Sequence, residues 1–214
     1  MRVLVIGANG LTGRRTVRLL KEGPHEPVAM IRDPEQAATF GEMEVESVVA
    51  DLEEPLDPAL DGIDAVIFAA GSGSKTGPDK TLAVDRDGAV RSIAAVEAAG
   101  IHRYIMLSAM RADPDSQGHP ISHYLRAKGI ADEHLRRSEL AYTIVRPGRL
   151  TNDPGTGTVS LAPRLEPGGS ISRDDVAAVM VACLDRPSTQ RATFDILEGD
   201  TPIDEALGMV EADG

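Results

Sequence analysis

The hydrophobic positions of this chain come in short, mostly unbroken runs. Residues 3–6, 28–31, 65–70, 104–107 and 142–145 are mainly apolar, and 45–50, interrupted by Glu46 and Ser47, reads as a further strand. Continuous runs of this kind suit strands covered on both faces, as in a parallel sheet. Between them lie stretches with helical spacing at 11–22, 34–40, 81–99 and 122–137, and Gly100 stops the third as a C-terminal cap. The alternation predicts an α/β fold built on a doubly wound parallel sheet.

After Arg146-Pro147-Gly148 the pattern changes. Residues 149–172 are rich in Gly, Pro, Thr and Ser and read as a loop or small lobe. A helix at 174–184, a strand at 193–197 and a short helix at 204–207 follow. With no repeat or low-complexity tract, the expectation is one domain over 1–214. Its core is 1–148, and a loop-rich, substrate-side annex occupies 149–214.

Composition narrows the function classes. Hydrophobic residues at 42% and charged residues at 26% exclude a largely disordered chain. No apolar stretch is long enough for a membrane-spanning helix, and the first apolar run lacks a signal-peptide cleavage pattern, so the expected compartment is the cytoplasm. The 34 acidic against 22 basic residues give a net charge of −12, which argues against a nucleic-acid binder. The one cysteine, Cys183, lies in a helical apolar run and is expected to be a small core hydrophobe. No Cys/His cluster has metal-site spacing, so no metal is expected.

The first candidate for chemistry is Gly7-Ala8-Asn9-Gly10-Leu11-Thr12-Gly13, which follows the first strand and opens the first helix. Gly7 permits a tight turn, Gly10 admits a pyrophosphate to the backbone, and Gly13 lets the helix pack closely on the sheet. The helix N-terminus offers free N–H groups and a positive dipole to phosphate, with the Thr12 hydroxyl beside them. Gly7, Asn9, Gly10, Leu11, Thr12 and Gly13 are therefore expected to bind a dinucleotide.

The spacing Gly-x-x-Gly-x-x-Gly, with Tyr124-Leu125-Arg126-Ala127-Lys128 downstream, resembles the short-chain dehydrogenase/reductase superfamily. Arg32-Asp33-Pro34, Val84-Asp85-Arg86-Asp87-Gly88, Arg146-Pro147-Gly148 and Ser172-Arg173-Asp174-Asp175-Val176-Ala177 narrow the resemblance. They point to its small atypical members, related to the NAD(P)H-binding, NmrA-like and epimerase-like groups. The resemblance spans nearly the whole chain and implies a Rossmann-type sheet and a nicotinamide cofactor.

Arg32 follows the second strand, where an arginine suits a 2′-phosphate and a carboxylate suits a 2′-hydroxyl. Asp33 stands at the distance expected of that carboxylate, but before Pro34 it serves equally as a helix cap. The resemblance favours Arg32 as a phosphate reader, with Arg14 or Arg15 assisting, so NADP(H) is expected over NAD(H). It also implies adenine contact at Asp51 and Leu52, and close passage of the cofactor along Ala69, Ala70 and Gly71.

Tyr124 and Lys128 are four residues apart and share one helix face. A nearby ammonium favours the phenolate. In the superfamily the tyrosine moves a proton at the substrate oxygen, while the lysine holds the nicotinamide ribose and lowers the tyrosine's pKa. Ser108 is the serine after the fifth strand and is expected to touch substrate or cofactor. Ala109 and Met110 stand where related enzymes often carry further serines, and Ser122 or a hydroxyl of residues 151–160 is an alternative source. His119 and His123 flank the tyrosine helix as solvent-facing residues or a proton relay. Asp85 reads as a cap or salt-bridge residue near a helix start. The resemblance implies that Pro147 lies beside the nicotinamide amide, and residues 151–157 have the composition of a segment that closes over a pocket.

Three functions follow. The first is an NADP(H)-dependent oxidoreductase or epimerase-like enzyme acting on a small carbonyl or hydroxyl compound. The second is a non-catalytic NADP(H) sensor, and the third a flavin or quinone reductase. The expected partner is a small-molecule substrate, with neither nucleic acid nor membrane. The helices at 81–99 and 122–137 leave monomer and homodimer open.

Overall fold

The first strand, β1 (Arg2–Ile6), shows how the sequence builds the core. Val3, Leu4, Val5 and Ile6 are all fully buried. Val3 and Val5 enter one apolar layer while Leu4 and Ile6 enter the other, as strand geometry requires. Each such side chain contributes roughly 1.5–3 kcal/mol by leaving water. The computed structural model describes residues 1–73 and 77–213.

On one side of β1 lie β2 (Glu26–Ile31) and β3 (Glu46–Val49). On the other lie β4 (Ala65–Phe68), β5 (Arg103–Leu107) and β6 (Ala141–Pro147), all parallel. The order 3-2-1-4-5-6 is that of a doubly wound Rossmann sheet, with its switch point between β1 and β4. Helices α1 (Leu11–Glu22) and α6 (Arg173–Cys183) pack on one face through Val17, Leu20, Val176 and Met180. Helices α4 (Ala89–Ala98) and α5 (Ser122–Arg137) cover the other through Ile93, Val96, Ala131 and Leu135. Cys183 is fully buried in the first layer, as its apolar surroundings suggested. A small helix α2 (Ala37–Gly41) follows β2.

The C-terminal part carries more strand than its composition advertises. Residues 149–172, expected as a loop, hold β7 (Arg149–Thr151), β8 (Thr158–Ala162) and β9 (Ser170–Ser172). β7 and β9 form a separate parallel pair. β10 (Ala192–Glu198) adds in parallel to β6, while β8 pairs antiparallel with β10 and with β11 (Thr201–Pro202), giving a nine-stranded sheet. Helix α7 (Ile203–Gly208) closes the chain. Short edge strands are held by cross-strand pairing more than by apolar runs, so a Gly- and Ser-rich segment conceals them.

The helix expected over 81–99 is also different. It comprises α3 (Pro78–Thr81), a π-helical stretch (Leu82–Gly88) and α4. Wider π turns concentrate at functional sites. Here the stretch carries Asp85 to a fully buried position.

Candidate functional site

The site lies along the carboxyl ends of the parallel strands. Gly7 leaves β1 with φ of +82°, and a Cβ there would stand 2.6 Å from Ala70 Cα. A Cβ on Gly13 would stand 2.2 Å from Gly7 O. The two glycines thus bring α1 down against the ends of β1 and β4. α1 begins at Gly10 with no side-chain cap and no acidic residue in its first turn. Its leading N–H groups therefore face the cleft with an uncompensated positive dipole.

Two adjoining cavities share Gly10, Ala69, Ala70, Gly71 and Ser72 across the switch point. The first, 370 Å³, is lined by Gly7, Asn9, Arg32, Asp51 and Leu52. Arg14 donates to Asn9 Oδ1 at 3.0 Å and holds that side chain at the turn. Asp33 accepts from the Glu35 N–H at 2.9 Å, so its carboxylate caps the turn after β2, while Arg32 lines the cavity. The second, 660 Å³, is lined by Leu11, Thr12, Ser108, Tyr124 and Lys128. Pro147 lines a third, of 450 Å³, which Ser108 and Tyr124 also line. All the sequence-derived site residues line these cavities except Gly13, which lies beneath the turn.

Lys128 is 3% exposed, and three oxygens surround its ammonium: Asp85 Oδ1 at 3.1 Å, Leu107 O at 3.2 Å and Ala70 O at 3.4 Å. The other Asp85 oxygen accepts from the Ser72 N–H at 2.9 Å. Asp85 is thus a salt-bridge residue, as one of its two readings held, but inside the π stretch and not at a helix start. Burial favours the neutral amine, yet the charge and hydrogen bond of Asp85 outweigh it and raise the Lys128 pKa. For Tyr124 burial raises the pKa, Lys128 opposes it, and Asp85 and Asp132 add to the rise. The lysine lowers the tyrosine as the resemblance implied, but the net shift is upward, so Tyr124 is held as a phenol.

Ser108 is buried, and its Oγ has no hydrogen-bonded partner. It stands close enough to Asp132 to favour that carboxylate. Asp132 is fully buried, which raises its pKa, and Arg146 opposes the rise with contacts of 2.6 and 2.8 Å. Sequence reading did not single out Asp132. Its signal is spacing, since it lies four residues beyond Lys128 on the same helix face. Arg173 was likewise quoted only within a motif, yet it lines the second and third cavities.

Other candidates fall away from the cavities. His119 is exposed, and Ser122 Oγ accepts from its backbone N–H at 2.9 Å, whereas His123 lines the second cavity. Residues 155–157 do not close over the site. Their N–H groups donate to Asp174 and Asp175 at the start of α6 at 2.8–3.3 Å. Among the described residues, no group of three or more His, Cys, Asp or Glu is placed to hold a metal ion, and no helix is long and apolar enough to cross a membrane.

The signature of NAD(P)H-binding proteins matches residues 7–187. The chain belongs to the NAD(P)H-binding family. It is 50% identical over 97% of its length to a Bacillus subtilis (strain 168) protein described as an uncharacterized sugar epimerase, 99% of which is covered. A Bacillus halodurans structure described as an NAD-dependent epimerase/dehydratase superposes with a TM-score of 0.94 at 47% identity, covering 98% of this chain and 100% of that one. The oxidoreductase ylbE of Lactococcus lactis gives a TM-score of 0.86 at 28% identity, with coverage of 97% and 95%. This family is oxidoreductase- and epimerase-like, in agreement with the resemblance to atypical short-chain dehydrogenases/reductases.

Proposed function

We propose that the protein is an NADP(H)-dependent reductase of a small carbonyl compound, with Tyr124 as the proton donor. The observation that carries this reading is geometric: Tyr124 shares one cavity with Ser108 and Lys128 and with Gly10, Leu11 and Thr12 of the glycine turn. The Ser108 hydroxyl there is buried and unpartnered. The uncapped start of α1 and the close glycine packing fit a dinucleotide. Gly7, Asn9, Gly10, Leu11 and Thr12 would hold its pyrophosphate, Arg32 a 2′-phosphate, and Asp51 and Leu52 the adenine. Ala69, Ala70 and Gly71 would flank its path, with Pro147 beside the amide.

A bound nicotinamide supplies the hydride that reaches the carbonyl carbon. Tyr124 gives its hydroxyl proton to the carbonyl oxygen, and Ser108 orients that oxygen by a hydrogen bond. Lys128 acts as a positioning residue that ties the ends of β4 and β5 to α5. To hold the cofactor ribose as well, it would exchange its longest contact, Ala70 O at 3.4 Å.

The test follows NADPH consumption with a panel of small aldehydes, ketones and quinones. The expected result is carbonyl reduction that falls about 10²–10⁴-fold in Tyr124→Phe, with NADPH affinity retained. Quinone reduction that survives Tyr124→Phe assigns a tyrosine-independent hydride transfer instead. A second reading, an NADP(H) sensor without turnover, is favoured by Ala109 and Met110 and by the full set of protein oxygens around Lys128. NADPH binding without consumption of any substrate supports that reading.

A further inference from the structure

The third cavity has a chemistry of its own. It adjoins the second through Ser108, Tyr124, Ile121, Leu150 and Arg173. Beyond that boundary its lining adds Arg111 and Arg149 but, among the described residues, no acidic side chain. This is unexpected in a chain of net charge −12. Elsewhere Arg2, Arg15, Arg86, Arg146 and Arg186 each meet a carboxylate. Arg111 and Arg149 are exposed, and like Arg32 on the first cavity their guanidinium groups make no hydrogen bond or ion pair among the described residues, while Arg173 meets only Thr151 O and Asn152 Oδ1.

Their placement is built into the fold. Arg111 follows the end of β5 with φ of +65°, a left-handed conformation that a non-glycine residue rarely adopts and that local structure must hold. The adjacent Met110 N–H donates to Pro147 O at 2.9 Å, which anchors that turn to β6. Arg149 opens β7, which pairs with β9. Met110, Ile121, Pro147 and Leu150 provide the apolar remainder.

We propose that this cavity selects substrates with an apolar body and an anionic end, a carboxylate or a phosphate, held by Arg111 and Arg149. The inference rests on the reductase reading, in which the carbonyl lies toward Tyr124. Arginine suits such an anion because its planar fork forms paired, charge-assisted hydrogen bonds.

The test uses binding, which does not require turnover. The NADP⁺-saturated protein is titrated with para-formylbenzoate, para-formylphenyl phosphate and methyl para-formylbenzoate by calorimetry. At least one of the two anions should bind about tenfold or more tightly than the neutral ester. The stronger anion identifies the natural end group. In the Arg111→Gln/Arg149→Gln double variant the anion should fall to within about twofold of the ester. Replacing Arg149→Gln by Arg149→Lys in that double variant should recover part of the preference, since charge persists without the fork. Equal binding of anions and ester, no binding of either anion, or a preference that survives the double variant overturns the proposal. Cofactor affinity and NADPH turnover are measured on the same samples. Turnover absent beside an intact anion preference counts against the reductase and leaves this assignment standing.

Discussion

Lys128 Nζ lies 3.1 Å from Asp85 Oδ1, with Asp85 fully buried and Lys128 only 3% exposed. The pair joins α5 to the π stretch, and through Leu107 O and Ala70 O it reaches the ends of two strands. A buried ion pair is a weak net stabiliser, but removing one partner strands a charge at a cost of about 3–5 kcal/mol. Asp85→Leu and Lys128→Met should therefore each destabilise by that order in urea unfolding. The double variant Asp85→Leu/Lys128→Met should recover most of the loss. Additive losses would mean that the two charges do not depend on each other.

The same pair sets the pH response of Tyr124. In the proposed reduction it gives a proton from its phenol form, and burial with Asp85 and Asp132 holds its pKa above the ordinary 10.0 against the pull of Lys128. The tyrosine's contribution to kcat/KM for reduction should then stay level through neutral pH and fall only on the alkaline side of that value. Asp85→Asn removes a raising influence and should bring the alkaline limb to lower pH. Lys128→Met removes the lowering influence and should move it upward. A limb that ignores both substitutions would take Tyr124 out of the proton transfer.

Most strands of the parallel core were legible as apolar runs, with the edge strand β3, Glu46-Ser47-Val48-Val49, the exception, and the glycine turn was legible because Gly7 and Gly13 have steric work to do. Asp85 was harder to read. Its meaning depends on a π stretch that no local spacing announces and on a lysine 43 residues away (85 to 128) in the numbering. Arg111 and Arg149 stand 38 positions apart (111 to 149), and only folding brings them to one cavity. The net upward shift of Tyr124 was hidden for a related reason. A four-residue spacing reveals the lysine, while burial and the opposing carboxylates appear only on folding.

Cys183 makes stability fall in alkali. Burial pushes its thiol up to about 12 from 9.0, so the folded protein keeps the proton that the unfolded chain gives up. The native state then binds more protons between those values, and stability is lost as pH rises through that interval. Tyr104, fully buried, shifts in the same direction and adds to the slope at higher pH. Burial lowers the Arg103 pKa to about 10, which acts in the opposite sense above that pH, so the thiol's decline in melting temperature should be read between about pH 9 and 10. Cys183→Ala should lower the melting temperature at neutral pH by leaving a small cavity, yet flatten the first part of the alkaline decline. An unchanged slope in the variant would show that the thiol does not carry it.

Arg32 provides the test of cofactor choice. It is exposed at the end of β2 on the 370 Å³ cavity, while the neighbouring Asp33 gives its carboxylate to the Glu35 N–H. A carboxylate committed to a cap is a poor partner for a ribose 2′-hydroxyl, whereas a guanidinium facing the cavity suits a 2′-phosphate. Arg32→Ala should weaken NADPH by about tenfold or more and leave NADH within about twofold, because only the former carries the extra charge. The wild-type preference should also shrink with added salt, as expected of an exposed ion pair. Asp33→Ala should cost about 1 kcal/mol of stability through the lost cap and leave the cofactor preference in place. If Arg32→Ala weakens both cofactors equally, the arginine does not read the phosphate. If Asp33→Ala selectively removes NADH binding, the carboxylate is the ribose ligand and the protein prefers NAD(H).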